Sequence, residues 1–315
     1  DDNLFFPNDD QGPGEIQQAA MKTRGFLLLS LLAVTAAANT TRGDTPSAAS
    51  TLLSVKSNDG TTIAVECAGA GPALLIVHGG TGDRSRWKPL LPLFAPHFKV
   101  CAMDRRGHGA SGDSSDYSLR KEAEDVASVV NALRGKVFVL GHSYGAVASL
   151  EAAFLTKNIA KLVLYEPPLL DRDHTVVADK MEDLIRAGQR EQAAVAFMRE
   201  IVMISPAEVA VMRTRASWPN LVESIDSSLR QIRALNTYRF NPGRMHELRL
   251  PTLLLTGSET ASPELKEAIQ ALRNSLPRSK VYVFEGQQHN AMDTVPGTFA
   301  NVVTNFLLPI GSPRD

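Results

Sequence analysis

Gly141-His142-Ser143-Tyr144-Gly145 has the form G-x-S-x-G and stands between two readable elements. Before it, Lys136-Val137-Phe138-Val139-Leu140 is a short apolar, β-branched run suited to a buried strand. After it, Ala146 to Leu155 is rich in Ala and Leu, with apolar residues at helical spacing. A serine on a tight strand-to-helix turn has its hydroxyl pushed clear of the sheet. The flanking glycines are expected to let the backbone make that turn without steric penalty. The amides at the start of the following helix then face the place where an oxyanion would form. The pentapeptide alone is common in loops; the strand before it and the helix after it make Ser143 a candidate nucleophile.

Outward from this stretch, short apolar runs alternate with amphipathic ones. Leu52–Lys56 and Thr62–Cys67 flank the turn Asn58-Asp59-Gly60 and predict a hairpin. Strands are predicted over Ala73–Val77, Phe98–Met103, Lys161–Tyr165, Thr252–Leu255 and Val281–Phe284. Helices are predicted around Trp87–Phe94 and over Leu119–Leu133, Pro263–Leu276 and Thr298–Leu307. This alternation implies an α/β fold with a mostly parallel, eight-stranded sheet and an antiparallel edge from the hairpin. The motif loops all follow strands, at the sheet end where catalytic groups of such folds collect.

The stretch from Leu169 to Arg249 breaks the alternation. It is helical in pattern, carries Met181, Met198, Met203, Met212 and Trp218, and reads as a cap over the strand ends. Most of these methionines are expected to pack within the cap and some to line a substrate pocket. The organisation is thus a core over 51–168 and 250–315, with a helical cap over 169–249.

The first fifty residues are different. Met21-Lys22-Thr23-Arg24, the apolar run Phe26–Val34 and Ala36-Ala37-Ala38 have the layout of a secretory signal peptide. The run is short for a membrane span, and no cysteine follows it to carry a lipid, so no stable membrane anchor is expected. Residues 1–20 read as a leader foreign to that signal, and Thr40–Ser50 as a flexible lead-in. Export, to the periplasm or outside the cell, is the expectation. It would permit a disulfide between Cys67 and Cys101, the chain's two cysteines; buried free thiols are the alternative.

A net charge of −1 over 315 residues gives no footprint for nucleic acid. The seven histidines form no metal-ligand spacing, so no metal or organic cofactor is expected.

With His78-Gly79-Gly80, Asp104-Arg105-Arg106-Gly107-His108-Gly109-Ala110-Ser111, the Ser143 elbow and a late His289, the chain resembles the α/β-hydrolase superfamily over about residues 51–308. The resemblance implies Ser143 as nucleophile and His289, in the loop after the last strand, as general base. It implies an oxyanion hole from the Tyr144 N–H and a donor in the Gly80–Thr81 loop. His108 and His142 are read as structural, with His142 pointing away from the working face, and Asp104 and Arg105 as loop braces.

The third triad member departs from the pattern. Where the family commonly has G-x-x-D, this chain has Gly257-Ser258-Glu259-Thr260, and threonine carries no charge. Glu166, whose loop is stiffened by Pro167-Pro168, is preferred as the acid, with Glu259 as the alternative. The expected activity is a carboxylesterase acting on a small-molecule ester through an acyl-enzyme. Lactone, amide or carbon–carbon hydrolysis and acyl transfer can use the same groups. A ligand-binding protein without turnover is the competing class, and neither substrate nor oligomeric state is legible.

Overall fold

A computed structural model describes residues 50–169, 172–215 and 217–308. The stretches read above as a leader and a signal segment, and the last residues of the chain, fall outside the described residues. β1 (Thr51–Lys56) and β2 (Thr62–Ala68) form the hairpin, and β3 (Ala73–Val77), β4 (Lys99–Met103), β5 (Val137–His142), β6 (Ile159–Tyr165), β7 (Thr252–Gly257) and β8 (Ser279–Phe284) follow. They make one eight-stranded sheet in the order β1-β2-β4-β3-β5-β6-β7-β8. The β1–β2 and β2–β4 pairs are antiparallel and the others parallel. In the β2–β4 register Cys67 lies opposite Cys101, and the two form a disulfide. Of the two readings open for these cysteines, the structure has the bridged one.

The central strands are apolar throughout because both faces are covered. Along β3, Leu75 and Val77 point to one layer while Leu74 and Ile76 point to the other, the two-residue alternation of a strand. The first layer holds α2 (Leu119–Ala132), α3 (Tyr144–Ala152) and α10 (Pro263–Ser275); the second holds α1 (Leu91–Phe94) and α12 (Pro296–Leu307). The helix expected over Trp87–Phe94 is instead a 3₁₀ turn, Arg84–Trp87, followed by the single turn α1. Pro89 and Pro92 interrupt that stretch and lack the N–H a continuous helix needs.

Between β6 and β7 lie α4 (Thr175–Arg186), α5 (Arg190–Ala196), a π-helical turn (Phe197–Ile201), α6 (Pro206–Arg213), α7 (Trp218–Glu223), α8 (Ile225–Thr237) and α9 (Pro242–Glu247). This inserted cap has its own core, in which Met181, Phe197, Met198, Trp218 and Ile232 are buried. Met245 and Leu248, also in the stretch read as cap, pack instead into the core of the sheet. α8 ties the cap down: Ser227 Oγ donates to the Gly107 carbonyl (3.0 Å) and Arg230 Nη2 to Asp113 (2.7 Å). The short α11 (Ala291–Thr294) links the loop after β8 to α12. Among the described residues, no helix is long and apolar enough to cross a membrane.

Candidate active site

Ser143 joins β5 to α3 with φ 54° and ψ −126°, in the left-handed half of backbone space that a non-glycine residue enters only under constraint. The neighbouring glycines serve a different purpose from the one expected. Neither has a positive φ; they permit close approach. A Cβ on Gly141 would lie 2.6 Å from Ala146 Cα, and one on Gly145 would lie 2.2 Å from the His78 carbonyl oxygen. The helix is thereby pressed onto β3 and β5, and the strain falls on the serine. Its hydroxyl makes no hydrogen bond to another described residue and opens on a cavity it shares with His289.

His289 follows β8. Its Nδ1 lies 2.6 Å from Glu166 Oε2. A carboxylate can only accept, so Nδ1 carries the proton and Nε2 is left with its lone pair. Glu166 directly follows β6, is fully buried and has φ 44°. Its other oxygen, Oε1, accepts from Thr256 Oγ1 (2.7 Å), the Gly257 amide (2.9 Å) and Thr260 Oγ1. Burial would raise this carboxyl; the bond and charge of His289 and the bonds from Thr260 and Gly257 outweigh it and hold the group below its ordinary value. Glu259, the alternative acid, is exposed and does not reach the histidine. Thr260, in the slot where an aspartate was expected, is a donor to the carboxylate that stands in for it. Hydroxyls at 256 and 260 near a lone buried Glu are the signal that reading for acids alone passed over.

The glycine loop is held from two sides. The Gly79 carbonyl accepts from His78 Nδ1 (2.8 Å) and from Arg105 Nη1 (2.9 Å). In a trans peptide the carbonyl and the next N–H point in opposite directions, so the Gly80 N–H faces away from Arg105. Arg105 is itself fixed by two bonds to Glu122 (3.0 and 2.7 Å), with its guanidinium 4.5 Å from the centre of the Tyr144 ring. The Gly80 carbonyl accepts from two side chains of α8, Ser228 Oγ and Gln231 Nε2, each at 3.3 Å. Gly80, Thr81 and Tyr144 all line the Ser143 cavity. The Tyr144 N–H, first in α3, has no intrahelical partner. Asp104 braces the adjoining loops, accepting from the Arg84 amide (2.7 Å) and the Ala110 amide (2.8 Å).

His142 does not point away. Its ring stacks obliquely on His289, centroids 4.6 Å apart, and its Nε2 lies 3.0 Å from the His289 carbonyl oxygen, to which it donates. Desolvation, reinforced by the neighbouring His289, pushes its pKa well below the usual value and keeps it neutral. The expectation rested on sequence adjacency to Ser143; at a left-handed residue the chain turns sharply enough to bring both side chains to the histidine loop. His78 and His108 are likewise buried and held neutral, chiefly by desolvation and secondly by the charge of Arg105.

The cavity measures about 120 Å³ and its cap wall is mostly apolar, with Phe197, Met198, Ile201, Val202 and Leu235 beside the polar His174 and Gln231. Of the cap methionines, Met198 and Met212 line it, Met181 is buried away from it and Met203 is exposed. A second groove of about 800 Å³ adjoins it and shares Thr81, Gly82, Arg86, Ile204, Met212 and Asn290. No cluster of side chains able to hold a metal occurs among the described residues.

A model of the alpha/beta hydrolase family matches residues 74–302. The chain is 26% identical over 266 residues to the 2-(acetamidomethylene)succinate hydrolase of Mesorhizobium japonicum, covering 78% of this chain and 91% of that protein. Among solved structures, an alpha/beta hydrolase from Sphaerobacter thermophilus DSM 20745 is 33% identical with a TM-score of 0.72, over 81% of this chain and 100% of that one. An esterase from Rhodococcus sp. ECU1013 is 25% identical with a TM-score of 0.66, over 82% and 99% of the two chains.

Proposed function

The chain belongs to the alpha/beta hydrolase family, and we propose that it is a serine hydrolase of carboxylic esters. The observation that carries this reading is the 2.6 Å contact of His289 Nδ1 with Glu166, which leaves Nε2 as the free base in the cavity that holds Ser143. Nε2 takes the hydroxyl proton as Oγ attacks the ester carbonyl. The tetrahedral oxyanion is met by the Gly80 and Tyr144 amides, with Thr81 beside them. As the C–O bond breaks, the imidazolium returns its proton to the departing alcohol, leaving an acyl-enzyme. Water, deprotonated by the same Nε2, attacks that ester and frees the acid and Ser143. Glu166 holds the histidine tautomer and balances the imidazolium charge.

Initial rates on 4-nitrophenyl esters, for the natural protein and Ser143→Ala, test the proposal. Ser143-dependent turnover is expected. Turnover unchanged in Ser143→Ala, or no turnover on any ester together with no labelling of Ser143 by a fluorophosphonate, would refute it. We further propose that the protein works outside the reducing cytosol; the Cys67–Cys101 disulfide supports this.

A further inference from the structure

We propose that the outer groove is the subsite for the departing alcohol, and that the substrate is a short-chain acyl ester of a polyhydroxylated alcohol of about sugar size. This rests on the serine-hydrolase reading and adds to it which half of the ester goes where.

The direction follows from the proton. His289 Nε2 must deliver its proton to the leaving oxygen, so the alcohol departs on the histidine side. The groove is walled on that side by Gln287, Gln288 and Asn290, the residues flanking His289 in the chain. It also reaches Thr81 and Gly82 of the glycine loop, so it begins where the scissile bond would lie. The acyl half is left the inner cavity with its mostly apolar cap wall.

Size separates the two halves further. The inner cavity, about 120 Å³, is smaller than the roughly 150 Å³ that benzene occupies in an apolar protein cavity. It suits an acetyl to butyryl chain. The groove, about 800 Å³, lies within the range of sites that enclose whole small molecules. Its wall is mixed: Ile204, Val211, Met212, Trp218 and Leu221 offer apolar contact, and polar side chains between them offer partners for hydroxyl groups. Ser85, Arg215, Ser217, Asn220 and Gln288 lie along it exposed to water, and their side chains make no hydrogen bond to another described residue. A sugar-like alcohol replaces the water on these groups with its own hydroxyls. A hydrocarbon alcohol of equal size displaces the water and gives nothing back.

The test compares kcat/KM on 6-O-acetylglucose and cyclohexylmethyl acetate, which share the acyl group, a primary leaving oxygen and a six-membered ring. A preference of at least about tenfold for the sugar acetate is expected, equivalent to roughly one or two net hydrogen bonds. Asn220→Ala and Gln288→Ala should bring the ratio toward one by raising KM for the sugar ester. On 4-nitrophenyl esters, kcat/KM should fall at least tenfold from acetyl to octanoyl. A ratio at or below one, in a protein that does hydrolyse 4-nitrophenyl acetate through Ser143, overturns the alcohol assignment. Rates that rise with acyl length overturn the acyl assignment. Inactivity on every ester with Ser143 unlabelled would instead bring down the serine-hydrolase reading, and this proposal with it.

Discussion

Replacing Glu166 by Gln changes one atom, and the surrounding bonds dictate how the new amide must lie. Three donors converge on Oε1, from Thr256, Gly257 and Thr260. An NH₂ group there would face the Gly257 N–H, which can only donate, while the two threonine hydroxyls would have to turn round to accept, so the amide carbonyl is favoured at Oε1 and the NH₂ turns to His289. Facing a donor, His289 Nδ1 must become the acceptor, and the ring proton moves to Nε2, the nitrogen that has to take the proton of Ser143. The working tautomer is recovered only by flipping the amide, which strands the Gly257 N–H and forces both threonine hydroxyls to turn. At roughly 1.5 kcal/mol for the one stranded donor that is about one power of ten in rate. Losing the carboxylate charge opposite the imidazolium contributes the larger part; neutralising the acid of such a triad lowers turnover by up to about 10⁴.

The assay is kcat/KM on 4-nitrophenyl acetate, with thermal unfolding as a check that the variant is folded. Glu166→Gln should fall about 10³-fold or more, mostly in kcat, because the defect lies in proton transfer and not in binding. Glu259→Gln should match the natural protein, since that side chain is exposed and makes no hydrogen bond or ion pair with the histidine. Retention of more than a tenth of kcat/KM by a folded Glu166→Gln would refute the reasoning. So would a comparable collapse in Glu259→Gln.

Buried neutral histidines predict lability to acid. His78, His108 and His142 titrate well below their ordinary value in the fold, so the unfolded chain takes up protons the folded one refuses, and stability is full above about pH 6.5 and falls below it. From pH 6.5 to 5.5 the loss is about 1 kcal/mol per histidine, roughly 3 kcal/mol together; a urea midpoint that does not move over that interval would contradict it. His142→Phe keeps a ring beside His289 but removes the bond to its carbonyl oxygen, and should lower kcat about tenfold with KM little changed; an unaltered kcat would show that the contact does not position the base. The Cys67–Cys101 bridge closes a loop of sequence separation 34. Replacing both cysteines by Ala should destabilise the protein by about 3–4 kcal/mol on the loop-entropy model, read by urea denaturation, with esterase turnover at 25 °C preserved.

The strands were legible because each is short, apolar and followed by a turn, and the elbow because a strand, G-x-S-x-G and a helix occur in succession. The pairing of Glu166 with His289 was legible from a negative observation, the absence of an aspartate at 260, together with the prolines after Glu166. The missed features involve direction or distance. No pattern of residues says that Thr260 donates to a carboxylate on another strand 94 positions away, or that His142 turns toward the loop after β8. Helical spacing around Trp87 was a local signal, overridden by two prolines whose missing N–H groups permit only single turns. The cap wall was out of reach for a different reason. Which of its methionines meet the cavity depends on how α4 to α8 pack against one another, and periodicity fixes the faces of each helix but not their mutual rotation.

The division into a chemical core and a substrate-selecting cap, natural from the sequence, does not survive at the glycine loop. The proposed oxyanion donor is the N–H of the peptide joining residues 79 and 80. The carbonyl of that peptide is held by His78 and Arg105 of the core, and the next carbonyl, Gly80, by Ser228 and Gln231 of α8. Gln231 Nε2 also lies 2.9 Å from His108 Nε2, in the Arg105–Gly109 loop, so the two anchors are themselves connected. A shift of α8 that widens the pocket therefore pulls on the peptide that must meet the oxyanion. Substitutions in the hydrophobic core of the cap, remote from Ser143, should for that reason alter kcat as well as KM, because the cap supplies one of the two anchors of the proposed oxyanion donor.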